Sequence, residues 1–194
     1  MQDFLKSRLT PVGRVLFVLA ALAILISLFF PLWYLNLEAT MYPEGLSMEV
    51  YANKIGGRID IINNLNHYIG MKEISEADFP ELTFMPYVVG LVALLILLSA
   101  GLGRVDIAVV TLGLASVGGM LGIYRLWYWL HLYGTDLDPK AAIKIPPFTP
   151  PMIGKNQLAN FTTYTGFGIG GYLLILGILL LLIALWRFRE CDAK

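Results

Sequence analysis

The chain has little of what catalytic and nucleic-acid-binding proteins rely on. Its 194 residues include one cysteine and two histidines. A single cysteine excludes an internal disulfide framework and a cysteine-only metal site. Charged residues make up 14% of the chain, where a soluble domain carries about 25%. Neither sign predominates, since 14 Lys and Arg balance 14 Asp and Glu. A nucleic-acid binder needs a basic excess, so that partner class is excluded. Neither Gly-x-Ser-x-Gly nor His-Glu-x-x-His occurs, and no enzymatic activity is expected.

What the chain has is apolar sequence. Hydrophobic residues reach 57% and the mean hydropathy is +0.69, too much for a soluble globule to bury, so membrane lipid is expected as part of the solvent. Four stretches approach the ~20 residues that cross a bilayer as a helix: 15–35, 84–102, 105–124 and 166–186. The expected fold class is therefore an all-α membrane protein. It would be a single domain over 1–194, a four-helix transmembrane bundle with two structured outer loops, 36–83 and 132–165. Pro31 is expected in the last turn of the first span and Pro86 in the opening turn of the second. The first apolar stretch is too long for a signal peptide and lacks a small-x-small cleavage site after it, so a retained helix is expected.

The basic residues orient the spans. Lys6, Arg8 and Arg14 lie in the amino-terminal tail, Arg104 in the short turn, and Arg187, Arg189 and Lys194 in the carboxyl tail. These three segments are short, whereas the basic residues of the outer loops are diluted over long acidic segments. Both termini are expected in the cytoplasm, with Cys191 a bystander there. No ionisable residue falls mid-span, because Asp106 sits at the edge beside Arg104. Transporters and pumps place charges or broken helices along a path, so translocation is disfavoured. Haem held between two histidines within the spans is disfavoured as well.

The first outer loop predicts a β-hairpin. Leu37, Ala39 and Met41 alternate with polar partners, Pro43-Glu44-Gly45 gives a turn, and Leu46, Met48 and Val50 alternate again. Ile59, Ile62, Leu65 and Ile69 then recur at helical spacing, and Ser75 is placed to cap a further turn before Asp78. The second loop carries Asp136 and Asp138 and then Pro146, Pro147, Phe148, Pro150 and Pro151. Such proline density makes stiff, extended backbone suited to lying against something. These seven residues are the candidate partner-docking surface, and the wall they meet is either the first loop or another protein. Asn156 to Phe161 is expected as a helical turn. Gly118 with Gly122, and Gly166 with Gly170, are small-xxx-small pairs expected where the third and fourth spans touch.

The candidate metal ligands are His67 and Met71, four apart on a helix. Imidazole with thioether suits copper, above all Cu(I), and copper is the one candidate cofactor. His131 is a weaker third ligand, and Met41, Met48 and Met152 are further thioethers on the outer side. Hairpin core explains Met41 and Met48 equally well.

The runs Met41 to Tyr51 (MYPEGLSMEVY), Leu65 to Met71 (LNHYIGM) and Leu137 to Phe161 resemble NosB-like small four-span membrane proteins. Those are encoded in bacterial gene clusters for atypical nitrous oxide reductase. The resemblance implies a non-catalytic accessory of the bacterial cytoplasmic (inner) membrane, facing the periplasm. It would support maturation, copper handling or electron supply of a copper respiratory enzyme, with nitrous oxide reductase or its accessory proteins as the larger partner. The alternative is a structural subunit of a respiratory complex whose loops dock a catalytic partner without binding metal. The plan of spans and loops is also similar to that of claudin-like proteins, without the paired cysteines of their first loop.

Overall fold

In the computed structural model, residues 7–39, 41–158 and 161–190 are described. Lys6, Cys191 and Lys194, used above in reading the tails, lie outside them. Strand β1 (Arg8–Leu9) leads into helix α1 (Pro11–Ser27). Thr10 caps this helix, its Oγ1 accepting from the Gly13 amide at 3.1 Å, and Pro11 takes the first position, where its missing N–H is not needed. The helix stops at Ser27, well before the expected Leu35. Pro31 disfavours helix in the residue before it, so 28–30 turn and β2 (Trp33–Ala39) begins.

Strand β3 (Tyr42–Val50) and β4 (Ile55–Gly57) follow. The hairpin is present, but its strands already pair at Ala39 and Tyr42, and Pro43-Glu44-Gly45 lies inside β3. The register slips between Leu37 and Ala39, and Gly45 adopts φ +73°. The turn-forming residues therefore make a bulge. Helix α2 (Ile59–Ile69) matches the helical spacing and ends on Gly70, at φ +77°, with the Met71 amide donating back to the Asn66 carbonyl at 2.9 Å. The 3-10 turn Glu76–Asp78 is capped by Ser75 as expected.

Helix α3 (Glu81–Leu102) and helix α4 (Val105–Thr135) form a hairpin, and Arg104 and Asp106 make the expected local ion pair at 2.5 Å. Helix α4 has 31 residues, about 46 Å at 1.5 Å per residue, against a hydrocarbon core of ~30 Å. It therefore continues past the expected end at Tyr124 and rises above the apolar layer. Strands β5 (Gly154–Leu158) and β6 (Phe161–Phe167), helix α5 (Ile169–Arg187) and strand β7 (Arg189–Glu190) complete the chain.

The expected all-α class is corrected. The protein is mixed, with helices and an antiparallel sheet among the described residues. Its five-stranded antiparallel sheet has the order β4-β3-β2-β6-β5. The proposed helical turn at Asn156 to Phe161 is strand on both sides of 159–160. Gly166 and Phe167, expected in the fourth span, end β6 opposite Tyr34 and Trp33. The two outer loops are thus one sheet, joined down the middle by β2 and β6.

Among the described residues three helices, α3, α4 and α5, are long and apolar enough to cross a membrane. The 17-residue α1 lies antiparallel against α5. A Cβ on Gly13 would come within 2.6 Å of the Phe188 carbonyl at one end, and a Cβ on Gly170 within 2.8 Å of the Ser27 carbonyl at the other. The bundle core gathers Phe17, Ala20, Ile24, Ile96, Val105, Ala108 and Leu181. Ser99 and Thr111 satisfy each other within it at 2.9 Å, as buried hydroxyls must. The sheet has a separate core of Trp33, Leu46, Met48, Ile62 and Leu130. The last comes from the projecting end of α4, which seats the sheet on the bundle.

The small-residue expectation is corrected too. Among the described residues nothing lies within 4 Å of where a Cβ on Gly118 or Gly122 would sit. The close approaches are Gly170 and Gly177 of α5 against α1, not the third span against the fourth.

Candidate functional site

Helix α2 ends at Gly70, and the second loop closes over that end. The Asp138 amide donates to the Gly70 carbonyl at 2.8 Å and the Ile143 amide to the Tyr68 carbonyl at 2.9 Å. Between them opens a shallow recess of about 400 Å³, lined by His67, Met71, Lys72, Glu73, Asp136 and Asp138 among others. The fold thus brings together four of the sequence-selected residues, His67, Met71, Asp136 and Asp138, from both loops.

The donor set does not suit copper. Soft ligands select Cu(I), but the recess offers one imidazole and one thioether among carboxylates and the Lys72 ammonium. Met48 is buried in the sheet core, Met152 packs against that core, and Met41 is 78% exposed in the hairpin. Among the described residues, no three His, Cys, Asp or Glu side chains gather to hold a metal ion. His131 does not line the recess. It stands in the last turns of α4, stacked on Trp127 with ring centroids 5.3 Å apart, and its Nδ1 meets Thr149 Oγ1 at 2.9 Å.

The proline segment finds its wall on this chain. The Phe148 amide donates to the Gly134 carbonyl at 2.9 Å, Trp33 Nε1 donates to the Met152 carbonyl at 2.7 Å, and Thr165 Oγ1 donates to the Pro151 carbonyl at 2.8 Å. Phe148, Pro150 and Pro151 are half-buried there, while Pro146 and Pro147 stay exposed. Asp138 spends one oxygen on the Lys140 amide at 2.8 Å, and Asp136 is exposed. Of the seven docking residues, Asp136, Asp138, Pro146 and Pro147 remain on the surface.

Sequence reasoning missed the solvent face of the sheet. Register places Glu49, Tyr34 and Gly166 in one row and Ser47, Asn36, Tyr164 and Lys155 in the next. Tyr34 lies over Gly166, and Tyr51 over Gly56. Lys155 sits over the Tyr164 ring at 5.3 Å and Lys54 over Tyr51 at 5.1 Å. The Glu49 carboxylate accepts from the Tyr51 hydroxyl at 2.7 Å and raises that phenol's pKa. The β-branched and aromatic run Phe161-Thr-Thr-Tyr-Thr-Gly-Phe167 was the available signal for this half of the sheet.

Gly166, Gly168 and Gly171 also show the spacing of a dinucleotide-binding turn between a strand and a helix. Here the helix start is occupied by the chain itself. The Gly168 amide donates to the Leu32 carbonyl at 3.0 Å and the Gly170 amide to the Pro31 carbonyl at 2.9 Å, leaving these donors nothing to give a phosphate.

These features define a class, a membrane protein with transmembrane helices that carries a folded sheet domain at one end of its bundle. No protein-family model, curated protein or solved structure matches the chain.

Proposed function

We propose that the protein is a non-catalytic membrane accessory whose sheet domain docks a larger protein on the outer side of the bacterial cytoplasmic membrane. The observation that carries this reading is the sheet itself. Two loops far apart in sequence share one apolar core, distinct from the bundle core, and present a polar, tyrosine-bearing face, while the same domain opens the recess at the end of α2. Tyrosine suits partner surfaces because a rigid ring adds contact area and a hydroxyl at little entropic cost. The poor match of the recess to copper favours docking over metal handling. The resemblance to NosB-like proteins names the partner to test, nitrous oxide reductase or a protein of its maturation.

The double change His67→Ala with Met71→Ala decides between docking and copper handling. Docking predicts that Cu(I) bound per purified chain is the same before and after the change, while co-purified nitrous oxide reductase falls at least several-fold. Stoichiometric Cu(I) in the unaltered protein, lost in the double variant, would establish copper handling instead. Unchanged association and unchanged function would sink both.

Four crossings with both termini inside complete the proposal. Helix α1 counts as a crossing because it runs the length of α5, and the clustering of Lys and Arg in the tails and short turn sets the sense. A membrane-impermeant maleimide should label Asn53→Cys in intact cells of a Cys191→Ser background. It should label native Cys191 only after permeabilisation. Equal labelling of both would refute the topology.

A further inference from the structure

We propose that a furrow between α1 and α3, at the end of the bundle away from the sheet, holds one anionic phospholipid, its acyl chain along the furrow and its phosphate on Arg14. The furrow has a volume of about 390 Å³ and is lined by Val15, Val18 and Leu19 of α1 and by Leu97, Ala100 and Gly101 of α3, with Arg14 the one charged residue. Ala100 is 5% exposed and makes the floor, while Val15 and Leu19 are 57% and 47% exposed and make a wall. An apolar trough inside a bilayer takes an acyl chain. A single cation at its mouth sets the headgroup chemistry.

Arg14 is placed for that role. It lies in the first turn of α1, and its guanidinium crosses to lie against Gly103 at the end of α3, so it stands over the mouth of the furrow. Among the described residues no carboxylate pairs with it, whereas nearby Arg104 is neutralised by Asp106. A guanidinium matches two phosphate oxygens at once, and basic residues at a membrane surface attract anionic lipid. Charge complementarity therefore selects an anionic lipid over a zwitterionic one. Gly101 provides the room, since among the described residues nothing lies within 4 Å of where its Cβ would be.

The test is native mass spectrometry of the full chain released from nanodiscs of equal phosphatidylglycerol and phosphatidylcholine. The unaltered protein should retain one phosphatidylglycerol at least several-fold over phosphatidylcholine. Arg14→Gln should bring that ratio close to one, and Arg14→Lys should restore part of it. Gly101→Leu should expel the retained lipid by filling the furrow without lowering the melting temperature, because it replaces a helical glycine facing open space. The lipid assignment is overturned if the unaltered protein shows no preference, if Gly101→Leu retains lipid as before, or if millimolar inorganic phosphate displaces the signal. The last result would make this a site for a free anion.

Discussion

Gly177→Leu should collapse the helical bundle, whereas Gly118→Leu with Gly122→Leu should leave it standing. At Gly177 a Cβ would come within 2.7 Å of Ile24 Cγ1 and 3.3 Å of the Ala20 carbonyl on α1. Ile24 is buried, so neither helix can yield without parting from the other. Overpacking a close contact costs ~1–3 kcal/mol and can cost more. In lipid there is little hydrophobic force between helices to offset that loss, because association rests on packing. The exposed pair should behave in the opposite way. Among the described residues nothing lies near Gly118 or Gly122, and each Gly→Leu change in a helix gains up to ~1 kcal/mol in backbone propensity. Size-exclusion profiles after stepwise heating in detergent measure both. The packing described above is wrong if the paired variant aggregates early while Gly177→Leu melts like the unaltered protein.

Trp33→Ala should disorganise the sheet while the bundle stays folded. Trp33 sits on central strand β2, is 2% exposed, and packs with Leu46, Met48, Ile62 and Leu130. Emptying such a site costs ~3–5 kcal/mol. Its indole N–H also holds the second loop through the Met152 carbonyl at 2.7 Å, so the loss reaches both loops. Trp33→Phe keeps most of the packing and leaves that carbonyl without its donor, a penalty of ~1–3 kcal/mol. Limited proteolysis should cut Trp33→Ala within 41–58 and 140–158 far faster than the unaltered chain, and Trp33→Phe only moderately faster. Circular dichroism should meanwhile retain the helical signal. Loss of sheet and helices in one transition would show that the two cores fold as a single unit.

Much of the local structure was legible in the sequence. Long apolar runs located α3, α4 and α5 because a bilayer-crossing helix needs length and little else. The spacing of Ile59, Ile62, Leu65 and Ile69 located α2, and Ser75 its following turn. The recess was partly legible, since the spacing of His67 and Met71 put them together at one end of a helix. The second loop adds Asp136 and Asp138. The docking segment was expected to lie against the first loop or another protein, and on this chain it meets the end of α4 and the strands of the sheet.

What the sequence by itself determined was the solvent and the local periodicity, because hydropathy and residue spacing act over a few turns of chain. The tertiary structure alone decided that Gly154–Leu158 and Phe161–Phe167 are strands, since β6 becomes a strand by lying between β2 and β5. It decided that Pro43-Glu44-Gly45 is a bulge, since the register is set by β2 opposite. It decided that Gly177 is a contact and Gly118 is not, because a glycine carries no mark of which helix will approach it. The pairing of β2 with β6 and the approach of α5 to α1 are relations between segments over a hundred residues apart, and no short window of sequence contains both partners.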